Sequence, residues 1–114
     1  MQTTQTASER ITEEVTAWAG VVAGPGERGE FGFRVGEHEI GHLHGDRVAH
    51  FGFPRDVGEA LRAEGRVGPH PVNRHSPKLA SRQLDSDDDV RDVIALMRLN
   101  YDRAVAAGVL ADAA

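Results

Sequence analysis

A chain of 114 residues with 39% hydrophobic residues can bury one modest core and is too short for two domains. Thirteen basic against eighteen acidic residues leave a net charge of −5, and the arginines are scattered, so the phosphate-neutralising charge that drives nucleic-acid binding is missing. Cysteine is absent, which excludes disulfides, thiolate metal sites and thiol nucleophiles, and no apolar run reaches bilayer length. The opening MQTTQTASER has neither a basic nor an apolar signal region, so the expectation is a cytoplasmic protein with no nucleic-acid or membrane partner; composition says nothing of oligomeric state.

Residues 6–20, TASERITEEVTAWAG, read as a helix. Thr6 and Glu9 form a capping box, Ile11, Val15 and Trp18 make an apolar stripe, and Gly20 is the stop. GPGERG (24–29) has the spacing of a dinucleotide fingerprint in the wrong setting: that motif needs a strand before it and a helix after it, and here a strand-like segment follows. It is expected to be a loop.

Three strands follow, EFGFRV (30–35), HEIGHLH (38–44) and RVAHFGF (47–53), joined by Gly36-Glu37 and Gly45-Asp46 as two-residue turns. That register pairs His44 with Arg47 and Phe31 with His42. Alternation then puts Phe31, Phe33, Val35, Ile40, Ala49, Phe51 and Phe53 on the core face together with His38, His42 and His44. Leu43 and His50 fall on the opposite face, with His50 exposed.

PRDVGEALRAEG (54–65) reads as a short helix, with Pro54 in its first turn, Asp56 and Glu59 as a capping pair and Gly65 at its exit. RVGPHPVNRHSP (66–77) is proline-punctuated and extended, and KLASRQL (78–84) is a last strand. DSDDDVRDVIALMRLNYDRAVAAG (85–108) is a long amphipathic helix with Val90, Val93, Ile94, Met97, Tyr101, Ala104 and Val105 on its apolar stripe; VLADAA (109–114), like residues 1–6, is a tail. The expected fold is α+β: a single domain with a four- to five-stranded antiparallel meander and helices on one face. Ile11, Val15, Trp18, Leu61, Ile94, Met97 and Tyr101 complete the core.

Several constellations carry chemistry. The run Asp85, Asp87, Asp88 and Asp89 resembles the start of a calcium loop but lacks its glycine and its twelfth-position glutamate, so it reads as a helix start favoured by the helix dipole. Arg74, Arg82 and Arg98 are candidate anion clamps, more readily explained as surface ion pairs. His42-x-His44 on one strand face could share a metal, but a third ligand would have to come from His38, His70 or His75. The expectation is no metal and no organic cofactor. The histidines then either fill a core or line a site.

The ordered set Glu39-Ile40-Gly41-His42-Leu43-His44, Leu61 with Glu64-Gly65, His70, Ser76 and Arg98-Leu99-Asn100-Tyr101-Asp102-Arg103 resembles the luciferase-like domain, a small family named for its similarity to part of fungal luciferase. Two positions depart from it: His70-Pro71 stands where members often have His-His, and Ser76-Pro77-Lys78 where they have Ser-Gly-Trp. The fungal enzyme oxidises a hydroxylated pyrone with molecular oxygen, so the resemblance implies oxygen-dependent chemistry on an aromatic or enolic hydroxy compound without an organic cofactor. An imidazole can take a proton near neutral pH, so His42 and His44 are the candidate catalytic residues, one or the other acting as general base, in a pocket between sheet and helices. His70, His75, Arg98 and Tyr101 bind a small aromatic ligand there. The alternative is a non-catalytic binding or accessory protein whose histidines are structural.

Overall fold

The structure, a computed structural model, describes residues 4–108. The elements run α1 (Ala7–Thr16), β1 (Val21–Pro25), β2 (Phe31–Val35), β3 (His38–His44), β4 (Val48–Gly52), α2 (Arg55–Ala63), β5 (Gly68–Pro69), β6 (Leu79–Gln83) and α3 (Asp87–Ala106). The six strands form one antiparallel sheet in the order β1-β2-β3-β4-β6-β5, so the α+β expectation holds with more strands than foreseen. The added strands, β1 and β5, lie at the two edges, and each ends in a proline, Pro25 and Pro69. Proline cannot donate to a ladder and is tolerated there. GPGERG is split between β1 and the turn to β2, closed by Gly26 N–H donating to the Glu30 carbonyl (2.7 Å). The expected tail at residues 109–114 lies outside the described residues, as do residues 1–3.

Thr6 caps α1 as expected, with the capping box to Glu9 complete. Ser86 caps α3, and Asp87, Asp88 and Asp89 occupy its first turn. The capping pair foreseen for α2 does not form: Pro54 is itself the N-cap and has no side chain to bond with. Gly58 brings α2 against the loop before β6, where a Cβ would stand 1.7 Å from the Pro77 carbonyl oxygen. Arg62 Nη2 then donates to the carbonyls of Ser76 (2.7 Å) and Leu79 (3.2 Å).

α1 and α3 cover one face of the sheet. Phe33, Val35, Ile40, Ala49, Phe51, Phe53, Ile11, Val15, Leu61, Met97 and Tyr101 are all buried in this core, while Phe31, Trp18 and Ile94 pack partly exposed at its edge. Arg82, on the core side of β6, seats the start of α3 by donating to Asp89 Oδ1 and Asp92 Oδ2 (both 2.7 Å). Burial of apolar area is the main stabilising term and these ion pairs orient it.

The imidazoles lie elsewhere than expected. The Gly36-Glu37 turn pairs Val35 with His38 as foreseen. One step on, Arg34 pairs with Glu39 and Phe33 with Gly41, so Ile40 is an extra residue in β3. Such a bulge inverts the alternation beyond it. Leu43, not His42, stands beside Phe31 on the core face, 1% exposed. At the other end the loop to β4 has three residues, with Gly45 at φ 60°, so His44 pairs with Val48 rather than Arg47. The longer loop lets Asp46 Oδ1 accept from the Ser8 backbone N–H (2.8 Å) in the first turn of α1. That bond holds the Asp46 carboxyl below its ordinary value. The two one-residue shifts turn His42 and His44 away from the helices and place His50 directly opposite His42.

Candidate functional site

On this outer face four imidazoles converge. Ring centroids of His42 and His44 are 5.1 Å apart, His42 and His50 5.3 Å, and His44 and His50 4.6 Å. His70 stands over His50 at 4.1 Å. Strand geometry supplies the first three: His42 and His44 are two residues apart on β3, and His50 is the cross-strand partner of His42. His70 comes from the loop after β5, placed by the pairing of Gly68 with Ser81 and by a bridge to Asn73. Arg62 of α2 pins the far end of that loop, so α2 serves the site indirectly.

Proton positions follow from the partners. His42 Nδ1 lies 3.1 Å from Glu39 Oε2, and a carboxylate only accepts, so Nδ1 carries a hydrogen and in the neutral ring the lone pair is on Nε2. His70 is the reverse: its Nδ1 accepts from the Val72 backbone N–H (3.1 Å), so in the neutral ring Nε2 carries the hydrogen. His50 is buried, and its pKa is pushed down to about 4, chiefly by burial, then by His70, His44 and His42. His70 is lowered too, by burial and then by His42 and His44. Glu30 lies close by. Its carboxyl is held below the ordinary value by backbone N–H groups of Glu30 and Arg28, with smaller contributions from His42 and His44.

Beside the cluster runs a groove of about 250 Å³ whose lining includes Gly24, Gly32, Glu30, Arg34 and Glu39. Gly32 pairs with His42, and a Cβ at Gly32 would meet Glu39 and His42 at 3.5 and 3.9 Å, so the glycine leaves the floor open next to the ring. A larger depression, about 600 Å³, lies on the other side of the sheet by α1 and is lined by Ser8, Thr12, Phe31 and Leu43. No histidine lines either depression; His42 adjoins the first through Gly32 and Glu39.

The foreseen pocket between sheet and helices therefore does not hold His42 and His44. Of the residues expected there, His70 joins them on the outer face. His75 is exposed, with its backbone N–H donating to Asn73 Oδ1 (3.2 Å), and its ring is outside the four-imidazole cluster. Arg98 and Tyr101 are on α3, across the sheet. Tyr101 Oη donates to the Ala19 carbonyl (2.6 Å), and Arg98 lies over the rings of Trp18 and Tyr101 and donates to Asp102 (2.9 Å). Those contacts fasten α3 to the segment after α1. His50 is the residue that sequence reasoning missed. Gly41, a glycine inside a strand, was the available sign of the bulge that brings it into play.

An antiparallel sheet with helices on one face and an imidazole cluster on the other defines a small α+β domain with an open polar site. The model of the luciferase domain family matches residues 37–100, from the start of β3 into α3, and the chain belongs to that family. The matched span contains all four clustered histidines. Comparisons with curated proteins and with solved structures find no match.

Proposed function

We propose that the outer face binds a small planar aromatic or enolic hydroxy compound, lying in the glycine-floored groove with its hydroxyl toward His42. The observation that carries this reading is the tautomer fixed by Glu39, which leaves the His42 Nε2 lone pair free as a proton acceptor beside the groove. Arg34 at the groove can meet the polar edge of such a ligand. Deprotonation gives an enolate or phenolate. That electron-rich species reduces molecular oxygen in the oxygen-dependent oxidation implied by the family resemblance. Four imidazoles held together at the expense of protonating His50 have no packing rationale, which weighs against a purely structural role.

The test is equilibrium binding of a panel of aromatic hydroxy acids and hydroxypyrones, paired with thermal melts. His42→Ala and His44→Ala should weaken binding at least tenfold and leave the melting point within a few degrees. Loss of stability at both positions with unchanged binding in the folded fraction would end the proposal.

A further inference from the structure

We infer that His42, His44 and His50 form a tris-imidazole site for a divalent transition metal ion, with His70 outside its coordination shell. The inference rests on the outer-face reading and revises one role in it: with its Nε2 on the ion, His42 is a ligand and not the base, and the hydroxyl of a bound compound would release its proton to solvent on meeting the ion. One nitrogen from each of the three rings lies within 4.8 Å of the others. With metal–nitrogen bonds of about 2.0–2.1 Å and tetrahedral angles, the ring centroids of imidazoles sharing one ion stand about 5 Å apart. The observed separations, 4.6, 5.1 and 5.3 Å, bracket that value before any side chain moves. The sequence offered His38, His70 or His75 as a third ligand and the expectation was no metal; the bulge and the three-residue loop instead bring His50 beside His42 and His44.

The surroundings favour a ligand role as well. Glu39 accepts from His42 Nδ1–H, which fixes the ring, leaves Nε2 free and raises its basicity, the arrangement that commonly supports metal-bound histidine. His70 cannot ligate through Nε2 while Val72 N–H occupies its Nδ1, so it is a hydrogen-bond donor over the site and not a fourth ligand. Three protein ligands leave coordination positions open, as in metal sites that bind exchangeable ligands rather than in closed structural ones. Neutral imidazoles without thiolate suit zinc, iron, nickel, cobalt or copper and disfavour magnesium and calcium. An ion there retains its full positive charge, and an enolate or phenolate oxygen arriving from the groove would complement it.

The experiment uses tag-free protein stripped with EDTA and titrated with Co²⁺, read by visible absorption and calorimetry. One saturable equivalent with a nitrogen-ligand d–d spectrum is expected. His44→Ala should weaken Co²⁺ binding at least a hundredfold, His75→Ala should not change it, and Glu39→Gln should weaken it about 10- to 100-fold. His50→Gln, which fills the site, guards against a folding defect and should lose binding as well. No saturable equivalent in folded wild type, or unchanged affinity in both His44→Ala and His50→Gln, overturns the inference. The two readings separate cleanly. Ligand binding by stripped protein that takes up no Co²⁺ removes the metal alone, whereas Co²⁺ uptake with no ligand bound from the panel removes the substrate class alone.

Discussion

Neighbouring residues on β3 should respond to truncation in opposite ways, because the bulge at Ile40 assigns them to opposite faces. Leu43 is 1% exposed and packs in the main core, so Leu43→Ala removes buried methyl groups and leaves a cavity. Such truncations cost about 2–5 kcal/mol, and the near-complete burial argues for the upper half of that range. At about 3–6 °C per kcal/mol for a domain of this size, the melting point should fall by roughly 10–30 °C. His42 is 20% exposed and its fixed polar partner, Glu39, is 45% exposed, so His42→Ala forfeits a solvent-screened contact worth about 1 kcal/mol or less. Removing the ring also relieves the crowding of imidazoles around His50. Urea melts of both variants in EDTA at pH 7.5 measure the difference directly. If His42→Ala costs as much as Leu43→Ala, or Leu43→Ala costs less than 1 kcal/mol, the assignment of faces is wrong.

Further outcomes follow from the same geometry. In metal-free protein His50 is held neutral down to about 4 while its unfolded counterpart protonates near 6.5, so the unfolded state binds more protons in that window. Stability should therefore fall as pH drops from 6.5 towards 4, by up to about 3 kcal/mol at 1.36 kcal/mol per pK unit, and His50→Gln should flatten that part of the urea-melt profile. Gly58→Ala would place a Cβ 1.7 Å from the Pro77 carbonyl oxygen; α2 must then lift from the loop, and hydrogen exchange should show faster opening at residues 55–79. Arg82→Met leaves Asp89 without its cation while Asp92 keeps Arg66, which should cost about 1–3 kcal/mol in urea melts, whereas Arg91→Met, at an exposed pair, should cost under about 0.5 kcal/mol.

Most of the architecture is local and was therefore legible. Capping residues set the starts of α1 and α3, the apolar period marked the length of α3, and the Gly36-Glu37 turn fixed one register. The core followed from that, except where β3 was concerned. Facing in a strand is a parity, and a parity is inverted by a single extra residue. Two such residues, Ile40 in the strand and Arg47 in the loop, were invisible to strict alternation, because both arise from contacts made far away in the chain. Gly41 faces Phe51 and Met97, where a Cβ would approach to 3.0 and 3.1 Å, and the loop is drawn out where Asp46 reaches α1. Hydrophobicity offered one corrective sign, since an alternating His-Leu-His segment buries its leucine more cheaply than its histidines. For the site, the consequence was larger than for the fold. Of the histidines singled out, His42, His44 and His70 do lie close together; His50 was passed over, and Arg98 and Tyr101 were drawn in although the sheet separates them from the imidazoles.

The central claim is that ligand binding belongs to the outer face of the sheet. Backbone amide shifts of ¹⁵N-labelled protein, followed during titration with a hydroxypyrone or aromatic hydroxy acid that binds, test it residue by residue. The account predicts changes concentrated at Gly24, Gly32, Glu39, His42, His44 and His50, with Trp18, Arg98 and Tyr101 unmoved. Changes centred on Trp18, Arg98 and Tyr101, with the imidazole face silent, would contradict it.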